Sequence, residues 1–563
     1  MKSLGFILSY LATPQARRNG RILGWMMVLF VVIVAVYSTL FHEIMEFEGQ
    51  RYSWVTAMYW TVVTMSTLGY GDIAFESDLG RTFSVVVLLS GSLFILVLLP
   101  FTFIQFVFVP WIESTRRARA PRSIPDDVRG HVILTGTGAI ESALITRLDR
   151  AGIPYTTLVS DLDEALRLHD DGYRVMVGDL DDPDAFRAAG ADRAALVAAT
   201  QTDTTNTNIG FTVREIADSV QVVATANSVA SVDILHLAGC DHVLQLGDML
   251  GTALARRVLV PDGRSHVIGE FGELLIAEAA PPEPLVGTPL RDSGLRQRTG
   301  LTVAGVWERG RLGVARPETV LTPTSTVVLA GSRAQLDAYD DLFAVERTVE
   351  APVIIIGGGR VGRAAGRTLE AAGLDYRIIE QQAERVRDPE RYVVGDAADL
   401  RVLEEAGIGA SPSVIITTHD DDINVYLTIY CRRLRPDMQI IARARLDRNV
   451  STLHRAGADF VLSYASTGAN AIWNVLSADN TLQLAEGLDV FRVPVPAQLV
   501  GRTLQQSQIR ESTGCTVVAI AEDHHFEANP DVAVPMPSGA ELVLIGDSDS
   551  EHRFLSRYRT TPI

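Results

Sequence analysis

Cysteine is scarce. Cys240, Cys431 and Cys515 are the only three in 563 residues, too far apart for a metal motif or a disulfide framework. Buried free thiols are therefore expected. Positive charge is also in deficit, and a net charge of −18 excludes nucleic acid as a partner, because phosphate binding needs basic surface. Charge of either sign is missing from Ile22 to Phe41 and from Thr82 to Ile112. Each run reaches the roughly 20 residues needed to cross a bilayer core, so spans are predicted over 22–41 and 82–112. A secretory signal is excluded: the apolar run Phe6 to Leu11 is short, and Arg17, Arg18 and Arg21 follow it.

What is present begins with charge placement. Arg17, Arg18 and Arg21 precede the first span, Arg116, Arg117, Arg119 and Arg122 follow the second, and the segment between holds Glu43, Glu46, Glu48, Asp72, Glu76 and Asp78. The positive-inside rule puts both termini in the cytoplasm of a multi-pass protein of the plasma or inner membrane. Residues 42–81 are too few for another crossing, yet Trp54 to Ser66 reads as a short apolar helix capped by Ser53. Such a helix is re-entrant. Non-helical backbone at membrane depth must be buried in protein or face water, so the glycine-rich Thr67-Leu68-Gly69-Tyr70-Gly71-Asp72 should line something polar.

The run Thr61-Val-Val-Thr64-Met-Ser-Thr67-Leu68-Gly69-Tyr70-Gly71-Asp72 resembles the pore helix and selectivity filter of the two-helix potassium channels. The resemblance implies that carbonyls of Thr67 through Tyr70, with the Thr67 hydroxyl, replace the hydration shell of potassium ions. Gly69 and Gly71 supply backbone angles that a Cβ disfavours. Leu68 replaces the commoner valine and is expected to pack behind the filter. Val63 stands where many relatives have a glutamate, and Trp60 and Asp72 match bracing positions. Gly91 and Pro100 are the expected bends of the inner helix, Gly91 at the family's gating hinge.

From Pro125 onward the chain repeats itself with a period near 218 residues. His131-Val-Ile-Leu-Thr-Gly136-Thr-Gly138 matches Val353-Ile-Ile-Ile-Gly357-Gly-Gly359, and Leu235-His236-Leu-Ala-Gly239 matches Leu453-His454-Arg-Ala-Gly457. Short β-branched strands alternate with helical segments, which implies parallel sheets covered on both faces. A smaller unit follows each copy, with Leu285-Val-Gly287 answered by Leu499-Val-Gly501. These resemble the regulator of potassium conductance (RCK) domain, of TrkA-N and TrkA-C type, in tandem.

In the second copy Gly357-Gly-Gly359-Arg360-Val361-Gly362 opens a helix after a strand, and Glu380 ends the next strand. That is the dinucleotide fingerprint in context: tight turn, phosphates on a helix N-terminus, close helix packing, and an acid for the ribose hydroxyls. NAD, ADP and ATP all fit as regulatory ligands, whereas the Glu380 carboxylate opposes NADP. The resemblance adds Asp396, Thr417 and Arg443. The first copy keeps Gly136, Gly138, Asp161 and Asp179, but Glu141 replaces the third glycine, so its site is expected to be the weaker. Acidic runs such as Asp181-Asp182-Pro-Asp184 and Asp420-Asp421-Asp422 offer oxygens to calcium without calcium-loop spacing. No metal site is assigned, not even at His524-His525.

The expected fold is a membrane α-helical pore followed by two α/β Rossmann-like RCK domains, each with a smaller α+β subdomain. Its order is a cytoplasmic N-terminus over 1–21, a pore domain over 22–112 with pore helix and filter at 54–72, and a linker over 113–125. Rossmann-like units follow at 126–260 and 348–480, with C-terminal subdomains at 261–347 and 481–563. The expected function is a homotetrameric potassium channel in the lipid bilayer, gated by an intracellular ligand on a ring of RCK domains, and not an enzyme. Two alternatives compete: a membrane-anchored NAD-dependent oxidoreductase, and a nucleotide-binding regulatory subunit of a potassium transporter. The first lacks any acid, base or thiol placed beside the fingerprint.

Overall fold

The computed structural model describes residues 14–109, 121–259, 263–308, 311–322, 325–344, 351–477, 481–483, 488–522 and 525–559. Phe6 to Leu11, Arg116, Arg117, Arg119, most of the 113–125 linker and His524 lie outside the described residues, as do the side chains of Arg17, Arg18 and His525. The chain divides into two compact units, Met1–Pro121 and Arg122–Ile563.

In the first unit α1 spans Pro14–Phe47, α2 Trp54–Met65 and α3 Asp78–Ser92. Ser53 starts α2 as read from the sequence, its hydroxyl accepting from the Thr56 amide at 3.2 Å. Ser77 starts α3 in the same way, accepting from Gly80 at 3.1 Å. Two stretches, Gly24–Phe47 and Asp78–Phe106, are long and apolar enough to cross a membrane. Most of their apolar side chains are exposed in this chain; Trp25 is 74% exposed, as lipid-facing positions require. The core between the helices is aromatic: Phe41 stacks on Trp60 with centroids 4.9 Å apart, and Phe75 meets both rings edge-on.

Gly91 lies in regular α-helix, and an added Cβ would come within 2.5 Å of the Met65 backbone; here glycine permits contact with the end of α2. Irregular winding begins just beyond, as π-helix over Leu93–Leu98 and Ile104–Phe108 on either side of Pro100. Proline lacks an amide donor and crowds the carbonyl four residues back, and a wider turn relieves both.

The second unit is duplicated throughout. The first copy forms a parallel sheet of β1 (Val132–Leu134), β2 (Tyr155–Val159), β3 (Val175–Val177), β4 (Leu196–Ala199), β5 (Gln221–Thr225) and β6 (His242–Leu244). Its order is β3-β2-β1-β4-β5-β6, the doubly wound dinucleotide-binding order. Its helices include α4 (Ala139–Ala151), α5 (Asp203–Arg214), α6 (Ala230–Leu237) and α7 (Leu246–Leu259). A five-stranded antiparallel sheet follows, containing β7 (His266–Phe271), β8 (Leu274–Ala279), β9 (Thr302–Glu308), β10 (Arg311–Val314) and β11 (Thr326–Gly331).

The second copy repeats the parallel sheet as β12 (Val353–Ile356), β13 (Tyr376–Glu380), β14 (Tyr392–Val394), β15 (Ser413–Ile416), β16 (Gln439–Ala444) and β17 (Phe460–Ser463). Its helices include α8 (Arg360–Ala371), α9 (Asp421–Leu434) and α10 (Tyr464–Leu476). The second antiparallel sheet holds β18 (Thr481–Gln483), β19 (Asp489–Pro494), β20 (Thr516–Glu522), β21 (His525–Ala528) and β22 (Glu541–Gly546). Even the side-chain clamps are duplicated. Arg214 holds Asp241 and the Gly239 carbonyl, and Arg432 holds Asp459 and the Gly457 carbonyl.

The copies are built into one another. Leu250, Leu254 and Val258 of α7 share one core with β12, β13 and β15, while Ala469, Ile472 and Trp473 of α10 share another with β1 and α4. The α7–α8 approach requires glycine: a Cβ on Gly251 would lie 2.3 Å from the Val361 carbonyl oxygen. The two antiparallel sheets close face to face through residues such as Trp307, Val490 and Val543. All three cysteines are buried free thiols, as expected; burial pushes Cys240 up to about 11 and Cys431 and Cys515 up to about 12.

At the junction of α7, β8 and the second copy, Arg257 pairs with Glu278, both almost wholly buried, and its guanidinium lies 5.1 Å from the centre of the Phe460 ring. Breaking one partner of a buried ion pair costs about 3–5 kcal/mol. The Glu278→Gln variant should therefore lose amide protection along β8, read by hydrogen exchange on the full chain.

Candidate functional site

Two sites emerge, one in each unit. In the first, the chain leaving α2 keeps its amides occupied: Thr67 donates to the Thr64 carbonyl and Leu68 to that of Val63, both at 3.1 Å. The carbonyls of Thr67, Leu68, Gly69 and Tyr70 accept no hydrogen bond among the described residues. Backbone φ is positive at every second residue, +61° at Thr67, +46° at Gly69 and +76° at Gly71. Such alternation turns successive carbonyls toward one side and leaves a file of oxygens without donors, an arrangement suited to a desolvated cation. A β-branched threonine in the left-handed region is unusual, and its sequence carried no sign of it.

Trp60 donates through its indole to the Ile73 carbonyl at 3.2 Å, and Asp72 is held by the hydroxyl of Tyr59, also at 3.2 Å. Tyr59 was not singled out from the sequence; only its spacing from Asp72 could have suggested it. Leu68 and Tyr70 are 62% and 67% exposed, so Leu68 is mostly uncovered among the described residues of its own chain. Behind the turn lies a cavity of about 430 Å³, bordered by Tyr59, Val63, Asp72, Arg81 and Ser84. Glu48 anchors the return to α3, accepting from the amides of Glu76 and Ser77 at 3.0 Å each and from the Ser77 hydroxyl. The Ser77 hydroxyl and these amides hold its carboxyl below the usual carboxylate range.

In the second unit, a cavity of about 1030 Å³ opens at the C-terminal edge of the second parallel sheet. It brings together Gly357, Gly359, Arg360, Val361, Glu380, Asp396, Thr417 and Arg443, all expected from the sequence. Gly357 sits at φ +104°, and a Cβ on Gly362 would lie 2.0 Å from the Gly357 carbonyl oxygen. Gly359 caps α8 with nothing within 4 Å of where its Cβ would be. The turn thus presents bare backbone at a helix N-terminus, where phosphate is favoured.

Several expected ligand residues act first on the turn itself. The Thr417 hydroxyl donates to the carbonyls of Ile356 and Gly357 at 3.0 Å each, and Glu380 accepts from the amides of Gly358 and Gln382 at 2.9 Å. The Asp396 carboxylate accepts from the Ala398 amide at 2.9 Å. Arg443 is different. It is 7% exposed, its guanidinium lies 5.0 Å from the centre of the Tyr464 ring, and its Nε has no partner among the described residues. Burial pulls its pKa down, and no carboxylate among the described residues hydrogen-bonds that nitrogen, which leaves one buried polar atom of the cavity wall unsatisfied.

Sequence reading missed His419, Tyr464 and Gly247, which line the same cavity. Burial and the nearby Arg443, Arg445 and Arg360 push the His419 pKa down. Gly247 comes from the first copy, which no local motif reveals. The only lysine is Lys2, so cation chemistry in the cavity belongs to arginine, whose planar fork suits phosphate.

The first-copy residues do not assemble in this way. Gly138 caps α4 as Gly359 caps α8, but Asp161 caps the following helix, accepting from the Glu164 amide at 2.7 Å. Strand pairing sets Val132 beside Tyr155 as it sets Val353 beside Tyr376. Val159, not Asp161, therefore occupies the Glu380 position. Of the two acids, Asp179 alone keeps its place, following β3 (Val175–Val177) by two residues as Asp396 follows β14 (Tyr392–Val394).

Comparison with known proteins matches residues 27–108 to an ion channel family, 132–246 and 353–464 to the TrkA-N domain, and 274–344 and 490–558 to the TrkA-C domain. Potassium channel protein 1 of Methanocaldococcus jannaschii is 25% identical over 54% of this chain and 94% of its own length. A Trk system potassium uptake protein TrkA homolog of Pyrococcus abyssi is 27% identical over 35% of this chain and 93% of its own. Among solved structures, the GsuK channel is 37% identical with a TM-score of 0.60, spanning 96% of this chain and 99% of that one. The GsuK channel bound to NAD is 35% identical, with a TM-score of 0.58 over the same shares.

Proposed function

Because the chain belongs to the family of potassium channels that join a two-helix ion-channel domain to tandem TrkA-N and TrkA-C domains, we propose that an adenine nucleotide in its second soluble copy gates its pore. Potassium passes along the carbonyls of Thr67 through Tyr70, with four chains completing the ring of oxygens in a lipid bilayer. Apolar surface supports assembly with further copies: Phe211 on α5, Val229 and Leu237 beside and on α6, and Ile423, Tyr426 and Ile429 on α9 are all exposed. The soluble units form a cytoplasmic ring.

The observation that carries the gating half is Arg443, a buried guanidinium with an unpaired nitrogen beside bare glycine backbone. A phosphate in the cavity would balance its charge. NAD, ADP and ATP share the necessary group, and the neighbour bound to NAD favours NAD as the first to test. Calcium has no comparable support, since no cluster of three or more metal-ligating side chains occurs among the described residues. Ligand bias on the pore equals the difference in its affinity for the two gate states, so binding without turnover suffices.

Planar-bilayer recordings under a potassium gradient, with NAD, ADP or ATP on the cytoplasmic side, test both halves. The reversal potential should follow potassium, and at least one nucleotide should change the open probability. Arg443→Gln should shift the nucleotide dose–response by about 10- to 100-fold, the range of a charge-assisted hydrogen bond, with conductance unchanged. Currents indifferent to potassium would refute conduction, and indifference to all three nucleotides would refute gating.

A further inference from the structure

We infer that the first copy's nucleotide site is permanently filled by the chain's own Glu141 carboxylate, so that each chain takes up one nucleotide and not two. The inference rests on the nucleotide reading of the second copy. Glu141 takes the place of Gly362, in the first turn of α4, and is 4% exposed. Its carboxylate folds back over the glycine turn: a Cβ on Gly136 would meet Oε1 at 2.8 Å, and one on Gly138 would meet Oε2 at 2.9 Å. The Thr200 hydroxyl donates to Oε1. A carboxylate at this helix N-terminus meets the same dipole that attracts phosphate.

Neighbouring residues close the site from other directions. Gln201 reaches across the turn, its Nε2 donating to the Thr135 carbonyl at 2.6 Å, and a Cβ on Gly136 would lie 2.5 Å from that nitrogen. Thr137, at the position of Gly358, spends its hydroxyl on Glu164 at 2.7 Å. The backbone has changed to match: Gly357 is left-handed whereas Gly136 is not. A side chain at 362 would strike the Gly357 carbonyl, so a residue with a Cβ at 141 requires the different turn. The first copy is thus held in a filled form by an internal anion, and only the second responds to nucleotide concentration.

Isothermal titration of the full-length protein with ADP or NAD should give one site per chain. Glu141→Gly should add a second, weaker event, weaker because Val159 supplies no ribose acid. Hydrogen exchange on the unsubstituted protein gives an independent reading, with nucleotide protecting 357–362 and leaving 136–141 unchanged. Two events in the unsubstituted protein, or protection at both turns, would overturn the inference. So would a folded Glu141→Gly variant that still binds one. No binding to the unsubstituted protein would instead refute the nucleotide reading of the second copy, and this inference with it.

Discussion

With alanine in place of Gly71, the reversal potential under opposed potassium and sodium gradients should collapse from the potassium value toward zero, or current should disappear. Gly71 holds φ at +76°, where an added Cβ costs about 1–2 kcal/mol per residue. No heavy atom lies within 4 Å of that Cβ position in this chain, so the effect is one of backbone preference and not of collision. Four chains meeting at one axis would bear the strain together, about 4–8 kcal/mol in all. The alternation of φ from Thr67 to Gly71 is what lines up the oxygens, and relaxing any one member breaks the file. Expression and tetramer yield should stay unchanged, because the helices that carry the turn are untouched; a Gly71→Ala channel with full potassium selectivity would remove φ from the explanation of the filter.

The nucleotide turn allows a sharper contrast. Gly359→Ala should leave stability unchanged and weaken nucleotide binding by about 10- to 100-fold, the range expected from losing one or two hydrogen bonds to a charged ligand. Its φ is −67°, and open space surrounds the position its Cβ would take, so only a ligand's approach is obstructed. Gly362→Ala should do both kinds of damage, since its Cβ would lie 2.0 Å from a backbone oxygen. Titration calorimetry and thermal unfolding of the two variants separate the roles. Equal affinity in Gly359→Ala and the unsubstituted protein would show that phosphate does not lie on this turn.

Much of this was legible because the deciding signals are local. A glycine turn between an apolar strand and a helix, or a filter run after an apolar helix, lies within a dozen residues and fixes its own conformation. What escaped depends on register or on distant partners. Asp161 looks like the ribose acid when distance from the glycines is counted loosely, but strand pairing puts Val159 in that place. Tyr59 and Trp60 are adjacent and both aromatic, and only the pitch of α2 decides which reaches Asp72. Gly91 suggests flexibility in isolation; its neighbour Met65, far earlier in the chain, gives it a packing role. Gly247 and Tyr464 belong to segments that cross between copies, and no periodicity reports such a crossing.

The exchange of helices between the two copies has a consequence for symmetry. Two separate identical chains packed in this way would carry every substitution twice, once in each half of the pair. Joined in one chain, the halves are always present in equal number and always find each other, at an effective concentration set by the tether and not by expression level. They are then free to diverge. Glu141 can stand in one half while Gly362 stands in the other, so the proposed assembly of four chains would keep fourfold symmetry around its pore while discarding twofold symmetry within each subunit.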